Sequence, residues 1–370
     1  MATSMEGLPT ERMHLTKRLF AISFAILAIP LMAACTLQNQ NSDSQIQATN
    51  AAVEAAAATP TPTTAPTATP EPTPEPSPEP EAFSIAWMSD TQTYTAANSD
   101  IFGRMTQWIS DTQQEYNTIL TVHTGDIVYN PYQEKAWQNA EDGFHRLPEG
   151  MRILTVAGNH NQLPKYDKHT PYLDHRPDTD FETKQAFDET GYAYYTTFTA
   201  GGVPMLVFSL SYGHEVEAID WINEVCKQYS DHYAVLCLHS YVNFSGYPSI
   251  GSRMFERVVK QSPNIRLVLC GHDGGMLYVP EQLDDNADGT PDRTVHQMMM
   301  NLQDDPYNGV GYLRILRLDP TADTLEVITY SPILDRFGYK MMVGDHFGES
   351  TVLEGAGLRD FLPKETTATP

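Results

Sequence analysis

Between residues 83 and 356 the chain alternates short apolar runs with segments of helical periodicity. Five of the runs, "SIAWM", "TILTV", "RILTV", "YAVLCL" and "IRLVLC", are apolar almost throughout. A strand covered on one face only would turn polar at every second position, so these runs predict strands buried on both faces. The segment "DIFGRMTQWISDTQQEY" (100–116) places Ile101, Met105, Trp108, Ile109, Thr112 and Tyr116 along one helical face. "EVEAIDWINEVCKQY" (215–229) does the same with Val216, Ile219, Ile222, Cys226 and Tyr229. The pattern predicts an α/β domain in which helices cover buried, largely parallel strands. A block of about 275 residues is large for one domain but ordinary for this class.

The pattern before residue 83 is different. Arg12, Lys17 and Arg18 precede the apolar stretch "LFAISFAILAIPLMAA" (19–34). About 15 apolar residues ending in small ones are short for a membrane span and typical of a cleaved secretion signal. Cys35 follows at once, and "LMAAC" resembles a bacterial lipobox, with Met32 a mild departure from the usual leucine. That resemblance implies a lipidated Cys35 at the mature N-terminus; a plain signal with a chance cysteine is the other reading. From Cys35 to Ala82 there is no basic residue, and "TPTPTTAPTATPEPTPEPSPEPE" cannot bury a core. It reads as an extended stalk, and its two dozen residues at about 3.1 Å each would hold a domain roughly 70 Å from the membrane. The expected organisation is a signal peptide at 1–34, a disordered stalk at 35–82, a catalytic or binding domain at 83–356 and a flexible tail at 357–370.

Charge narrows the partners. Loss of residues 1–34, with three basic and two acidic side chains, moves the formal charge from −24 to −25. Such a body repels nucleic acid and anionic headgroups, and it suits a site that gathers cations. Cys226, Cys237 and Cys270 each lie in an apolar run, which predicts buried free thiols in place of a disulfide framework.

Candidate chemistry gathers at the strand ends. "SIAWM" runs into "SDTQ", "TILTV" into "HTGD", "RILTV" into "AGNHN", "YAVLCL" into "HS" and "IRLVLC" into "GHDGG". Loops at the carboxyl ends of strands are where open α/β sheets bind ligands. These carry Asp90, Gln92, Asp126, Asn159, His160, His239 and His272. Taken singly, a strand-end Asp caps a helix and a His satisfies a core; five loaded ends together predict a metal site. The donors are carboxylate, amide and imidazole with no usable thiolate, which suits Mn, Fe, Zn, Mg or Ca in place of a closed structural zinc. A carboxylate shared by two ions about 3.5–4 Å apart is how two-metal hydrolytic sites hold a bridging hydroxide.

The ordered motifs Asp-x-Gln, Gly-Asp, Gly-Asn-His, His and Gly-His resemble the calcineurin-like metallophosphoesterase superfamily over residues 90–272. "TVHQMMMNLQDDPYNGVGYLRILRLDP" and "VITYSP" extend the likeness to a secreted bacterial branch across 83–333. The resemblance implies a two-sheet sandwich flanked by helices, with the metal site at the carboxyl ends of the strands. It implies two divalent ions, with Asp126 bridging, Asn159, His239 and His272 completing one, and Asp90 with Gln92 beginning the other. His160 would be a non-ligand residue near the leaving group. Two departures fall on the Asp90 ion. Gln92 stands where the superfamily usually has His, and Gly274 stands where Gly-His-x-His has its second His. Asn161 replaces a usual acid, and Tyr129 an Asp common in the branch. Asp273, His296 and His123 are further candidates, with turn-capping or hydrogen-bonding readings beside the ligand one.

A separate run, "DDNADGTPD" (284–292), spaces Asp284, Asn286, Asp288 and Asp292 as in a calcium loop. Val295 occupies the position of the bidentate Glu, so a bare polar hairpin stands beside an additional calcium ion. The expected function is that of an extracytoplasmic, lipid-anchored, metal-dependent phosphoric ester hydrolase. It would act on small-molecule or cell-envelope mono- or diesters and would not bind nucleic acid. The rival is a weakly active or non-catalytic binder of phosphorylated wall or lipid ligands. A solute-binding lipoprotein would want two lobes, which this pattern does not suggest.

Overall fold

A computed structural model describes residues 79–96, 100–162, 170–177, 179, 181, 183–303, 310–339 and 347–364. The expected signal peptide, Cys35 and nearly all of the stalk lie outside the described residues. The last stalk residues are described and touch the domain: Asn117 Nδ2 donates to the Ala82 carbonyl at 3.0 Å.

Along the chain come β1 (Phe83–Met88), α1 (Gln92–Ala96), α2 (Ile101–Tyr116), β2 (Thr118–His123), α3 (Glu134–Phe144), β3 (Arg152–Thr155) and α4 (Pro171–His175). Then follow β4 (Gln185–Ala186), β5 (Ala193–Ala200), β6 (Val203–Leu210), α5 (Ile219–Gln228), β7 (Tyr233–Leu238), α6 (Ser249–Arg257) and β8 (Ile265–Cys270). The rest is strand: β9 (Gly275–Leu283), β10 (Arg293–Asn301), β11 (Leu313–Asp319), β12 (Thr324–Ser331), β13 (Arg336–Phe337) and β14 (Ser350–Glu354).

These build two seven-stranded sheets, one ordered β13-β12-β11-β1-β2-β3 with β14 on β12, the other β4-β5-β6-β7-β8-β10-β9. All five predicted strands form, as β1, β2, β3, β7 and β8, and with β6 and β10 they make the parallel centres of the sheets: β1–β2–β3 in one, β6–β7–β8–β10 in the other. The expectation of largely parallel strands is corrected outside those centres. The pairs β5–β6, β9–β10 and β11–β12 are antiparallel because a hairpin turns each strand back beside its predecessor, and β11 returns from far along the chain to pair antiparallel with β1.

The sheets pack face to face, and their inner faces make one core with Ile85, Trp87, Val122, Leu154, Val207, Val235, Leu269 and Met298. The alternate residues Ala86 and Met88 pack outward with Phe102, Met105 and Trp137 of α2 and α3. Leu236 and Val268 pack outward with Ile222 of α5 and Met254 of α6. Nearly every side chain of a central strand is therefore buried, with Ile119, Arg152, Pro204 and Thr294 partly so near the strand starts, which is why those runs are apolar without alternation. The result is the expected two-sheet sandwich with helices on both outer faces.

One buried face and two boundaries differ from the pattern. The buried stripe of α2 is Phe102, Met105, Thr106 and Ile109, with Trp108 partly buried and stacked on Tyr330 at 4.4 Å. Helix α5 starts at Ile219, four residues later than its pattern, and Glu215 is buried in the turn before it. The tail expected from 357 is overturned at its start: Leu358 and Phe361 lie in the inter-sheet core, and Phe361 meets Tyr233 edge-on at 5.7 Å. Burying each of these two side chains is worth about 1.5–3 kcal/mol, which offsets much of the chain entropy lost in ordering the segment. Cys226, Cys237 and Cys270 are buried free thiols.

Candidate metal centre

Three of the strand-end residues hold left-handed backbone conformations: Asp90 at φ 52°, Asp126 at φ 54° and His272 at φ 71°. Non-glycine residues adopt this region at a cost, and its recurrence at one locus marks a functional constraint. Neighbouring glycines make the approach possible. A Cβ on Gly158 would lie 2.1 Å from Asp126 Oδ1, and one on Gly271 would lie 2.1 Å from Asp90 Oδ2. The glycines in Gly-Asn-His and Gly-His are thus required by the carboxylates that pass against them.

The imidazole-rich half centres on His239, which is fully buried. Its Nδ1 stands 2.9 Å from the Thr124 carbonyl, which only a ring N–H can bond. In the neutral ring that leaves Nε2 bare, the second-shell arrangement that presents a histidine to a metal. Around that nitrogen lie Asn159 Oδ1 at 3.0 Å, His272 Nδ1 at 3.2 Å and Asp126 Oδ2 at 3.3 Å. The ligand atoms of Asp126, His239 and His272 all fall within 4.8 Å of one another. Four atoms with lone pairs face one point, which is the donor set of a divalent cation. In the ion-free protein that repulsion is relieved by a proton. Burial would lower the His239 pKa, yet Asp126 and Asp90 raise it to about 9. Burial and the His239 charge lower His272. Burial raises Asp126, but His239 and the His160 N–H outweigh it and hold the carboxyl below its ordinary range.

The other half has no imidazole. Asp90 Oδ2 accepts from Ser89 Oγ at 2.6 Å and from the His272 N–H at 3.0 Å. Its Oδ1 is buried without a hydrogen-bond partner. Burial, with Asp126 close by, raises the Asp90 pKa to about 7. An orphaned carboxylate oxygen in the interior is costly unless a cation meets it, so this half also fits a metal. Gln92 is buried beside Asp126, with its amide within reach of Asp126 Oδ2, the Asp126 and Asp90 main-chain carbonyls and the Gln303 amide.

His160 sits at the rim. Its main-chain N–H donates to Asp126 Oδ1 at 2.9 Å, while its ring Nδ1 lies 3.0 Å from the Tyr129 carbonyl. The ring packs on the exposed Tyr129 ring at 4.6 Å and is not in the ligand cluster. With Nδ1–H given to that carbonyl, Nε2 is the nitrogen left for a substrate. Asn161 explains one departure from the motif. Its Oδ1 accepts the Ile127 and Gly158 N–H groups at 3.2 and 3.1 Å, and its Nδ2 donates to the Val128 carbonyl at 3.3 Å. It braces the Asp126 loop to the Asn159 loop, and an acid could not make the last of those bonds.

The remaining candidates are accounted for by hydrogen bonding. His123 Nδ1 accepts the Gly125 N–H at 3.3 Å, so its Nε2–H donates to Thr91 Oγ1 at 2.9 Å, and burial lowers its pKa to about 3. Asp273 Oδ2 accepts from Asn243 Nδ2 at 3.2 Å. His296 bonds the Tyr278 hydroxyl at 2.9 Å and the Gly355 carbonyl at 3.3 Å. The segment with Asp284, Asn286, Asp288 and Asp292 is the exposed β9–β10 hairpin. Its carboxylates accept from its own backbone, Asp284 from Gly289 N–H at 2.7 Å and Asp292 from Asp285 N–H at 2.7 Å. Among the described residues, Asp126, His239 and His272 are the group with metal-ligand spacing.

Two neighbours escaped the sequence reading. Tyr212, just past β6, packs against His239 at 6.0 Å and His272 at 5.9 Å. Asn301, at the end of β10, donates from Nδ2 to the His272 carbonyl at 3.0 Å, and its Oδ1 accepts the Gln303 N–H at 3.2 Å. Both β6 and β10 are parallel strands ending beside the metal loops, so the same strand-end rule would have found them.

The model of the calcineurin-like phosphoesterase family matches residues 83–276. The uncharacterized protein YvnB of Bacillus subtilis (strain 168) is 34% identical over 264 residues, which is 70% of this chain. The chain spans about a fifth of that relative's length, the aligned share being 20%. Among solved structures, a dimetal phosphatase from Danio rerio aligns with 74% of this chain and 99% of its own at 11% identity and a TM-score of 0.49. A purple acid phosphatase from yellow lupin (Lupinus luteus) seeds aligns with 80% of this chain and 57% of its own, also at 11% and 0.49.

Proposed function

We propose, from the premise that this chain belongs to the calcineurin-like phosphoesterase family, that it hydrolyses phosphate mono- or diesters outside the cytoplasm. The observation that carries the reading is the convergence of His239 Nε2, Asn159 Oδ1, Asp126 Oδ2 and His272 Nδ1. These four would hold one divalent ion; Asp90 and Gln92, with Asp126 shared, would hold a second. When bound, the ions lower the pKa of a water and offset charge on the phosphoryl oxygens. His239 is kept in its ligating tautomer by Thr124, and Asp126 is fixed by the His160 N–H. His160 Nε2 would give a proton to the departing alkoxide, at a place set by the Tyr129 carbonyl.

The cellular setting rests on sequence. The leader and "LMAAC" support a lipid anchor at Cys35, and the Pro-rich stalk supports a domain held away from the membrane. Cys35→Ala should release the protein into the medium; unchanged membrane fractionation would overturn the anchor. The activity is tested by supplying purified full chain with Mn or Zn and a chromogenic mono- and diester. Turnover that a chelator abolishes is expected.

A second reading, a metal-dependent binder of phosphorylated envelope ligands, is favoured by the Asp90 half, which lacks both imidazoles. Chelator-sensitive binding of a phosphoester without turnover of any ester would select it.

A further inference from the structure

The Gln92 amide fits its surroundings in only one of its two orientations. With the nitrogen toward Asp126 Oδ2 (3.3 Å), its oxygen faces acceptors. Turned over, the nitrogen donates to the Asp126 main-chain carbonyl at 2.8 Å and Gln303 Oε1 at 3.1 Å, and the oxygen accepts from Gln303 Nε2 at 2.7 Å. These contacts are complementary, although the oxygen also lies 3.2 Å from Gln303 Oε1. The amide oxygen now takes the place beside Asp126 Oδ2, and two acceptors at that separation repel unless a cation lies against both. Asp90 supplies another oxygen of the same kind, its buried and unpartnered Oδ1.

The pair of amides is itself held. Gln303 is buried, its N–H bonded to Asn301 Oδ1 (3.2 Å), and Asn301 is tied to the His272 carbonyl (3.0 Å). One strand end, that of β10, therefore fixes both a loop of the imidazole half and the amide of the other half.

We propose that the Gln92–Gln303 amide pair makes the Asp90 half an all-oxygen position that accepts a hard divalent cation of the Mn or Mg class far more readily, relative to Zn, than the other half does. Beside it, the His239–His272 half takes an imidazole-preferring ion such as Zn or Fe(II). The inference rests on the two-ion phosphoesterase reading of this site. Its physical ground is donor softness: carboxylate and carbonyl oxygens suit Mg, Ca and Mn, whereas imidazole favours Zn and Fe. Gln303 is a positioning residue, since its donor and acceptor dictate which end of the Gln92 amide faces the ion.

The test is a titration of the full chain with Mn and Zn, separately and in competition, read by calorimetry and by the Mn electron-paramagnetic-resonance signal. Both positions prefer Zn to some degree, but the Zn-over-Mn affinity ratio at the second position should be at least about tenfold smaller. Gln92→His should raise that ratio toward the value at the first position. Gln303→Leu should weaken the second ion by about 10–100-fold, as loss of a ligand-orienting partner does, and leave the first unchanged. Gln303→Glu, which removes the Nε2–H donor to the Gln92 oxygen, should weaken the second ion as well. Equal ratios at the two positions, or a Gln92→His ratio that does not move, overturn the proposal even if Gln303→Leu fails to fold. These outcomes are separable from the functional reading. Unequal ions without turnover of any ester would sink the phosphoesterase and keep this inference, and turnover with equal ratios would do the reverse.

Discussion

The strand-end loops and the β9–β10 hairpin are both rich in acids at metal-like spacing, and they differ in what their oxygens face. Asp90 and Asp126 are buried, in left-handed conformations, with Asp90 Oδ1 unpartnered and His239 Nε2 turned toward Asp126. Asp284, Asp288 and Asp292 are exposed, and each accepts backbone N–H groups of its own loop. Carboxylate count does not separate the two. Desolvation does: lone pairs that water cannot reach, and that no N–H satisfies, are what an ion can repair.

The largest effect expected from this contrast is at His239. His239→Ala removes the nitrogen about which three other donors converge, so ion content at that half and turnover should vanish together. Retention of both would break the contrast outright. Next is His160, which touches no ligand point. His160→Ala should keep both ions and slow turnover by about 10²–10⁴-fold, the usual worth of general acid help. The loss should be larger for a poor alkoxide leaving group than for nitrophenolate, and a variant that sheds metal would make His160 a ligand.

Asp90 gives a smaller, pH-dependent effect. Its folded pKa of about 7 exceeds the ordinary 3.8, so between those values the folded chain keeps a proton that the unfolded chain has lost. Stability of the ion-free protein therefore falls as pH rises through that window. His239, raised from 6.5 to about 9, adds a contribution that is full below 6.5 and lost as pH rises to 9. Asp90→Asn should flatten the lower part of this slope and stabilise the ion-free chain at pH 8 by on the order of 2 kcal/mol, while weakening the second ion. Thermal melts from pH 4 to 9 that show no slope in the wild type would contradict the burial argument. The smallest effect is at the hairpin, where Asp284→Ala with Asp288→Ala should cost about 0.5–1.5 kcal/mol for lost loop hydrogen bonds and nothing in activity.

Legibility in the sequence followed the same physics. The central strands were readable because burial on both faces leaves uninterrupted apolar runs, as in "YAVLCL" and "IRLVLC". Their ends were readable because Asp90, Asp126, Asn159, His239 and His272 each follow a strand within a few residues. Strands β5, β6 and β9 to β12 were not assigned: β11 finds its place only by returning to β1 across the domain, and β10 only beside β8. Gln303 and Asn301 were quoted only within a longer likeness, because an amide's task here is to meet Gln92 and the His272 loop across the fold. The tail boundary failed for a related reason: Leu358 and Phe361 look like an isolated apolar pair until the inter-sheet core receives them.

The most direct measurement is elemental analysis, after dialysis, of three proteins side by side: the wild-type chain, His239→Ala, and the Asp284→Ala, Asp288→Ala double variant. Bound divalent ion should be the same in the wild type and the hairpin variant and should drop in His239→Ala. An ion lost from the hairpin variant, or none lost from His239→Ala, would contradict the account.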